Sequence, residues 1–470
     1  MDVLWSVVQD GDRLVHVFPE GILNRVVTNY KPEMSFARLP SRDEWRRFEQ
    51  YSRRVRVLYC YAAVLSFMSL RSGDIAKHLH GGQLFPNLHT LQLFERISFD
   101  PCSLLVRPPL RHLRLHYMDA NAVEAIVDAL PGCVMLLETI IIHGNAHRHS
   151  SCFERLSSKF STALLTTHKL TELDAALAFP RAVHHLSTLS TMRILSLSDL
   201  VVPDAATLPF PALEALQLWV APGGFPSLLP FLEKLGAPSL QEFRASNIRE
   251  GYGTVVHFHA NQMHAMICEF SRFSQLRVLA FPGVTWRWLP SLGRTPLIDG
   301  LLSENVLEPL YSLRALKELK LGNFPIRLTS DEIIEQMARA WPQIEELWVT
   351  FYVSTLHFIA REDLLQVDAM LPFARSCPKL TALGLPISIS RTPLHVPELL
   401  PKHPRLQILC LIDIGPNVTE ETVDLLAQVF PNMTVTLMGF DAERRDLNDR
   451  MLEKRKALAS DVVDEGGLEI

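Results

Sequence analysis

The chain has 470 residues, of which 48% are hydrophobic and 21% are charged. This composition is that of an ordered protein with a large core, and it excludes a disordered chain. The 46 basic and 51 acidic side chains give a net charge of only −5. No global field would therefore hold the protein on nucleic acid or on an anionic membrane.

The first twelve residues, MDVLWSVVQDGD, lack the basic region and the long apolar region of a secretory signal. The most apolar stretch, residues 57–70, is shorter than the about 20 apolar residues that a membrane-spanning helix needs. The seven cysteines are an odd number and contain no CxxC pair, so neither a disulfide framework nor a cysteine-based metal or redox motif is predicted. We therefore expect a cytoplasmic or nuclear protein.

Residues 1–53 are predicted to form a helical cap. Ser41 and Glu44 have the spacing of a capping box, and apolar residues follow from Trp45 at the three-to-four spacing of one helix face. We expect this helix to cover the first strand, which begins near Val55.

Residues 54–440 contain about fourteen copies of an irregular L-x-x-L-x-L pattern, at intervals of 21 to 40 residues. The fourth and sixth positions of this pattern point to the same side of a short strand, and the first apolar residue covers the loop that enters the strand. The spacing is typical of leucine-rich repeats built from one strand and one helix or loop. The copies begin at Val55, Leu88, Leu110, Leu137, Leu170, Met192, Leu213, Leu240, Leu276, Leu316, Ile344, Leu380, Leu406 and, in degraded form, Met433.

In eight copies a proline stands two residues before the first apolar position. Proline cannot continue a helix and biases its predecessor toward extended geometry, so each proline predicts a change from helix to strand. Helices are expected over 121–130, 331–341 and 419–430, and the last two follow capping-type residues at Thr329 or Ser330 and at Thr419. The prolines are Pro86, Pro108, Pro211, Pro238, Pro342, Pro378, Pro404 and Pro431.

These patterns predict an α/β fold, a right-handed leucine-rich-repeat solenoid with parallel strands on its concave face and helices on its convex face. The alternative is a doubly wound sheet, but that architecture has five to eight strands with long apolar runs. Residues 281–300, rich in proline and glycine, are predicted to be an inserted loop. Residues 441–470 are predicted to be a charged helix and tail, with Leu447, Met451 and Leu458 on one helical stripe.

No nucleotide-binding, hydrolase or zinc-protease motif occurs in the sequence, so an enzyme is not predicted, and no cofactor or metal is expected. Two groups of histidine and cysteine could each be drawn as a zinc site. Both fall where the pattern places loops or the convex layer, so we interpret them as solvated histidines. The groups are His257, His259, His264 and Cys268, and His143, His147, His149 and Cys152.

Protein binding remains as the predicted activity. The residues between the apolar positions of each strand should face the concave side, and among them Trp219 and Trp348 are notable because tryptophans dominate binding hot spots. The alternative is that a neighbouring loop or the insertion covers both tryptophans. The candidate protein-binding residues are Arg114, His116, Gln217, Trp219, Arg244, Lys320, Trp348 and Thr350.

The opening LWSVV, the segment SRDEWRRFEQYSRRVRVL and the irregular repeats together resemble the F-box and leucine-rich-repeat proteins of basidiomycete fungi. The resemblance covers nearly the whole chain, but the F-box is not evident. Residues 18–23, FPEGIL, echo its start without its expected ending. The resemblance implies substrate recognition for a cullin-based ubiquitin ligase, with a Skp-type adaptor and a protein substrate as partners. The alternative is a stand-alone leucine-rich-repeat scaffold with no link to ubiquitin.

Overall fold

The structure is a computed structural model. It describes residues 6–8, 17–19, 21–28, 31–60, 84–94, 105–106, 109–116, 120–143, 151–175, 180–198, 207–220, 227–247, 255–258, 260–281, 285–288, 302–321, 326–328, 330–349, 365–387, 401–411, 418–437 and 447–456.

A parallel sheet of fifteen strands is the main element of the fold, and its strands lie in the order of the chain. Helices alternate with many of these strands, so the chain is an α/β protein with the predicted solenoid-like repeat arrangement. The strands are β1 (Val7–Val8), β2 (Val57–Cys60), β3 (Thr90–Phe94), β4 (His112–His116), β5 (Thr139–His143), β6 (Glu172–Ala175), β7 (Ile194–Ser198), β8 (Ala215–Val220), β9 (Glu242–Asn247), β10 (Val278–Ala280), β11 (Glu318–Lys320), β12 (Glu346–Trp348), β13 (Ala382–Gly384), β14 (Ile408–Leu411) and β15 (Thr434–Leu437).

The chain divides into two compact units. The first contains residues 1–219 and 234–237, and the second contains residues 220–233 and 238–470. Strands β1 to β7 and nearly all of β8 belong to the first unit, whereas β9 to β15 belong to the second.

Each of the strands β2 to β15 belongs to one of the fourteen predicted repeats. The apolar positions of successive repeats pair in register and are buried. Truncating a leucine buried in this way to alanine lowers the free energy of unfolding by about 2–5 kcal/mol. In the first unit the fully buried row contains Leu91, Leu113, Ile140 and Leu173, and in the second it contains Leu279, Leu319, Leu347, Leu383 and Leu409.

In the last repeat, the segment from the first apolar residue to the buried strand residue is one residue shorter than in the other repeats. Met433 is buried and its N–H donates to the Phe430 carbonyl, as the first apolar residue of a repeat does elsewhere. The strand residue aligned with Leu409 is Val435, only two positions later rather than three. The pattern looked degraded at this point because one residue is missing between the turn and the strand.

The prolines before the repeats occupy the second position of β-turns. The Leu88 N–H donates to the Phe85 carbonyl at 3.3 Å across Pro86, and the Ile344 N–H donates to the Trp341 carbonyl at 3.1 Å. The second position of a turn is where the fixed φ angle of proline fits best. The same hydrogen bond closes the turns at Pro211, Pro378 and Pro431, so these prolines form the turn that leads into a strand, while Pro108 lies outside the described residues.

One turn of this kind is closed by a histidine side chain. The Leu406 N–H donates to Nδ1 of His403 at 3.2 Å, and the His403 Nε2 lies 2.8 Å from the Cys377 carbonyl in the preceding repeat. Because Nδ1 accepts a hydrogen bond, Nε2 carries the proton and donates to that carbonyl. His403 is buried, so this ring serves the fold.

The predicted helices are present within one residue of their predicted ends. Helices end near these bounds because a turn or proline follows. Ser41 and Glu44 form the predicted capping box, and the Thr419 hydroxyl accepts from the Thr422 N–H, whereas Ser330 makes no side-chain cap. The α-helices are α1 (Arg42–Ser52), α2 (Ala120–Ala129), α3 (Ser151–Leu164), α4 (Pro180–Thr188), α5 (Leu228–Lys234), α6 (Ala260–Phe270), α7 (Asp331–Ala340), α8 (Leu371–Ser376), α9 (Glu420–Val429) and α10 (447–456), and 3-10 helices span 130–132, 134–136, 304–312 and 367–370.

Among the described residues of the N-terminal segment, α1 is the helix and three short stretches are strands. Val7 and Val8 form the strand β1 beside β2, and Leu23–Thr28 pairs antiparallel with Lys31–Phe36. The expectation of a helical cap over 1–53 is therefore wrong for these strands. A two-residue strand produces no detectable periodicity, which is why the sequence pattern did not reveal β1.

Helix α1 is fixed by aromatic packing and by its cap. Phe18 stacks on Phe48 with ring centroids 5.3 Å apart and meets Trp45 edge-on at 5.6 Å. The Arg38 guanidinium and the Ser41 N–H donate to the Glu44 carboxylate and lower its pKa to about 2. Phe18, the first residue of the F-box-like FPEGIL stretch, is therefore part of the core beneath α1.

Helix α10 covers the edge of the last strand, as predicted for the C-terminal helix. Leu447 and Met451 are buried, while Leu458 lies outside the described residues. The Asn448 side chain accepts from the Val435 N–H at 2.9 Å and donates to the Val435 carbonyl at 3.0 Å. An open strand edge invites pairing with another chain, and Asn448 satisfies part of this edge instead.

The segment predicted as an inserted loop is partly a strand. Thr285–Trp288 pairs in parallel with Val255–Phe258 in a small two-stranded sheet. A second pair joins Leu302–Ser303 to Ile326–Arg327. Loop composition over 281–300 thus concealed a four-residue strand, because the pairing partner lies about one repeat earlier in the chain.

Candidate functional site

The outward positions of the strands are set by the alternation of side chains along each strand. In β8 the residues Ala215, Gln217 and Trp219 are half-buried, and the residues between them are buried. Parallel register places equivalent residues of neighbouring repeats side by side, so their outward side chains form rows across each unit.

Seven of the eight predicted binding residues lie at such outward positions. Thr350 lies outside the described residues. Arg114, His116, Gln217 and Trp219 belong to the first unit, and Arg244, Lys320 and Trp348 belong to the second. Arg114 is exposed and the other six are half-buried.

In the first unit, a chain of polar contacts links four neighbouring strands, β5 to β8. His143 Nε2 lies 2.9 Å from Asp174 Oδ2. Asp174 also accepts from the hydroxyl of Ser196, and the Ser196 Oγ accepts from the Trp219 Nε1–H at 3.0 Å. The indole of Trp219 is thus held in place by hydrogen bonding across the sheet.

The pKa values of this group reflect those contacts. The hydrogen bond with Asp174 raises the pKa of His143, against the opposing effect of burial. Burial alone would raise the pKa of Asp174, but the hydrogen bonds from His143 and Ser196 outweigh burial and lower it. The pair therefore favours an imidazolium and a carboxylate.

His116 lies between an aromatic ring and other polar groups. Its ring stacks on Phe94 with centroids 4.9 Å apart, and its Nε2 lies 3.1 Å from Nε2 of Gln92. The His143 ring is 5.2 Å away. Burial, followed by repulsion from His143 and Arg114, lowers the pKa of His116. This histidine therefore favours the neutral form.

In the second unit, Arg244 on β9 forms two hydrogen bonds with the carboxylate of Glu318 on β11, at 2.9 and 2.8 Å. Strand β10 lies between them and contributes Ala280, which is fully buried and in register with Arg244. A small side chain at this position leaves room for the guanidinium to cross the strand.

Lys320 extends this cluster toward β12. Its Nζ lies 2.9 Å from Glu318 and 2.6 Å from Glu346. Burial opposes the charge on both Glu318 and Lys320, but their hydrogen bonds prevail, so the pKa of Glu318 is lowered and that of Lys320 is raised. The three carboxylates Glu242, Glu318 and Glu346 thus surround two cations, and every charge has a partner.

Trp348 stands beside this cluster, in register with Lys320 on one side and Gly384 on the other. Its indole Nε1 is buried and has no hydrogen-bond partner among the residues that the structure describes. Leaving such a donor unpaired costs about 1–3 kcal/mol. The donor of Trp219, by comparison, is satisfied by Ser196.

Among the described residues, no group of histidine, cysteine, aspartate or glutamate side chains is arranged to hold a metal ion. His143 contacts Asp174, and Cys268 Sγ lies 3.6 Å from His264 Nε2 on the same helix. His147, His149 and His259 lie outside the described residues. Burial raises the pKa of the Cys133 and Cys377 thiols to about 12, which makes them poor nucleophiles.

Sequence reasoning missed the acidic partners Asp174, Glu318 and Glu346, and it missed Ser196. Asp174 and Ser196 lie in the same row as Gln217, one or two repeats away, whereas Glu318 and Glu346 lie two residues before Lys320 and Trp348 on the same strands. Aligning the repeats in register would have placed Glu346 beside Glu318 and Lys320. No pattern within one repeat predicts that Arg244 reaches Glu318.

Comparison with protein-family models gives no match for this chain, and comparison with curated proteins gives none either. Within the described ranges, no helix is long and apolar enough to cross a membrane.

Proposed function

We propose that the chain is a protein-binding leucine-rich-repeat module whose outward strand side chains contact the partner. The observation that carries this proposal is the fixed geometry of Trp219 and Arg244. Trp219 is held by Ser196, and Arg244 is held by Glu318. Tryptophan and arginine are the side chains most enriched in binding hot spots, and groups already fixed lose little entropy on binding.

Trp348 supports the same proposal from the second unit. Its ring is half-buried at an outward strand position, so a partner can contact the part of the ring that stays accessible, although the buried Nε1–H takes no part in that contact. The neighbouring side chains of Glu318, Lys320 and Glu346 are already engaged in ion pairs with one another. We therefore propose recognition without catalysis at this surface.

The finer proposal is that the bound protein is a substrate of an F-box-type ubiquitin ligase in the cytoplasm or nucleus. It rests on the resemblance of LWSVV, the 41–58 segment and the repeats to F-box and leucine-rich-repeat proteins. A Skp-type adaptor and a cullin would then be partners in addition to the substrate. The alternative proposal is a stand-alone scaffold, which would bind a protein without those two.

Affinity purification of the tagged full chain, followed by mass spectrometry, tests both levels of the proposal. We would compare the unaltered chain with Lys320→Glu, which places a third negative charge beside Glu318 and Glu346. The matched control is Lys379→Glu, the same charge change at an exposed turn residue of the same unit.

A protein recovered with the unaltered chain and with Lys379→Glu, but lost with Lys320→Glu, supports binding through the strand side chains. Equal recovery with all three chains contradicts it. Co-recovery of a Skp-type adaptor and a cullin supports the ligase, whereas recovery of a partner without them supports the scaffold.

A further inference from the structure

The strands β2 to β4 and the turns that lead into them form a stretch of the first unit whose described residues include cationic side chains and no carboxylate. The described segments 53–60, 84–94 and 109–116 contain neither aspartate nor glutamate. The basic residues and histidines in these segments are Arg53, Arg54, Arg56, His89, Arg111, His112, Arg114 and His116.

Two of these arginines have no ion pair among the described residues. Arg56 and Arg114 are both exposed, and neither meets a carboxylate in that part of the chain. Arg111, by contrast, lies 3.3 Å from Glu138 on the following repeat. In the second unit, by contrast, Arg244 and Lys320 are both paired with glutamates.

Two histidines of this stretch lie near enough to its arginines to be repelled by them when protonated. Burial, then repulsion from Arg111 and Arg56, lowers the pKa of His89. Burial, then repulsion from His143 and Arg114, lowers the pKa of His116. A bound carboxylate would be attracted by the same arginines that disfavour protonation of these rings.

The cationic stretch also has an apolar base. Phe94 and His116 stack with ring centroids 4.9 Å apart and are half-buried, and Tyr59 is half-buried on the adjacent strand. Flat rings beside exposed guanidinium groups can cover the backbone and methylene groups of an extended peptide while the arginines pair with its acidic side chains.

The extent of the stretch limits the size of the ligand. Neighbouring strands are about 4.8 Å apart, so the outer two of three strands are separated by only about 10 Å. The following strands carry Glu138 at the edge of β5 and Glu172 and Asp174 on β6. These carboxylates would repel a polyanion that continued across the sheet.

We propose that the outward side of β2 to β4, together with the exposed residue that precedes β2, binds a short acidic peptide segment of the partner protein, with Arg114 on β4 and Arg56 at the entry to β2 pairing with its carboxylates. This inference deepens the proposed function and rests on it. A nucleic acid is disfavoured as the ligand, because the protein would have to neutralise many phosphates along an extended row of cationic side chains. The acidic residues on the next strands interrupt such a row.

The test is fluorescence anisotropy of the purified full chain with a labelled glutamate-rich peptide. A peptide with glutamine at the same positions and a single-stranded DNA of equal charge serve as comparison probes. We expect binding to the glutamate peptide that weakens as salt rises, and little binding to the glutamine peptide. We expect Arg114→Glu to weaken binding by about tenfold, because it replaces an attraction with a repulsion.

The matched control is Arg181→Glu, an equal charge change at an exposed residue of helix α4 in the same unit, which should bind like the unaltered chain. If Arg114→Glu fails to fold by circular dichroism, Arg56→Gln removes one charge at the other free arginine. Absence of binding, equal binding of the two peptides, no effect of the arginine variants, or tighter binding of the DNA would each overturn the proposal.

Failure of this inference is distinguishable from failure of the proposed function. A partner that is lost with Lys320→Glu, together with no binding of the glutamate peptide, would leave the protein-binding function standing and refute only the acidic segment. If no partner is lost with Lys320→Glu and the glutamate peptide does not bind, both the acidic segment and the proposed function are refuted.

Discussion

The guanidinium of Arg244 reaches across a whole strand to hold the carboxylate of Glu318, 74 residues later in the chain, with hydrogen bonds of 2.9 and 2.8 Å. The strand that it crosses contributes Ala280, which is fully buried. A larger side chain at this position would compete with the guanidinium for the same space.

We therefore expect Ala280→Leu to destabilise the protein by about 1–3 kcal/mol, the usual cost of overpacking. If the cost arises from collision with Arg244, it should shrink when Arg244 is also replaced by alanine. Urea unfolding of the two single variants and the double variant measures this coupling. Strict additivity of the two changes would show that the guanidinium does not cross at Ala280.

The contact between His143 and Asp174 makes a specific prediction about pH. Asp174→Asn removes the group that raises the pKa of His143, so we expect that pKa to fall. The measurement is an NMR titration of His143, with Glu172→Gln on the same strand as the control. An equal shift in the two variants, or none in Asp174→Asn, would contradict the pairing.

The same contact determines the sign of its effect on stability. A histidine whose pKa is raised by folding contributes stability below its unfolded value of about 6.5, and this contribution is lost as pH rises through the folded value. Because folding lowers the pKa of Asp174, this carboxylate contributes stability above its unfolded pKa of about 3.9. That stability is lost as pH falls through the folded pKa. We expect the stability difference between Asp174→Asn and the unaltered chain to be largest between these limits.

Removing the Asn448 side chain should expose the edge of β15. Asn448→Ala leaves the N–H and the carbonyl of Val435 without their partner, and we expect a loss of about 1–2 kcal/mol. Leu452→Ala on the same helix is the control, since Leu452 is 48% exposed. Thermal unfolding measures the stability of the two variants. If Asn448→Ala lowers stability as little as Leu452→Ala does, Asn448 does not stabilise the edge of β15.

His403 should behave as a structural residue rather than a functional one. His403→Phe keeps a ring of similar size but leaves the Leu406 N–H and the Cys377 carbonyl unpaired, so we expect a loss of about 2–3 kcal/mol. His184→Phe, at an exposed position of α4, should change the free energy of unfolding far less. Equal effects in urea unfolding would count against the two buried hydrogen bonds.

The repeats could be predicted from the sequence because apolar spacing reports burial, and burial of residues such as Leu91 and Leu347 is what the fold requires. The short strand β1 could not be predicted, since two residues carry no period. The outward positions of Trp219 and Arg244 followed from the spacing alone. Their partners Ser196 and Glu318 did not, because contacts between repeats depend on the lengths of side chains and on register.

The most direct test of protein binding through the strand side chains is photo-crosslinking in the cell. A photoreactive amino acid would replace Gln217 on β8 or, in a separate chain, Arg181 on helix α4, both in the first unit. We predict that a protein partner is captured from Gln217 and not from Arg181. Capture from Arg181 alone would contradict binding through the strands.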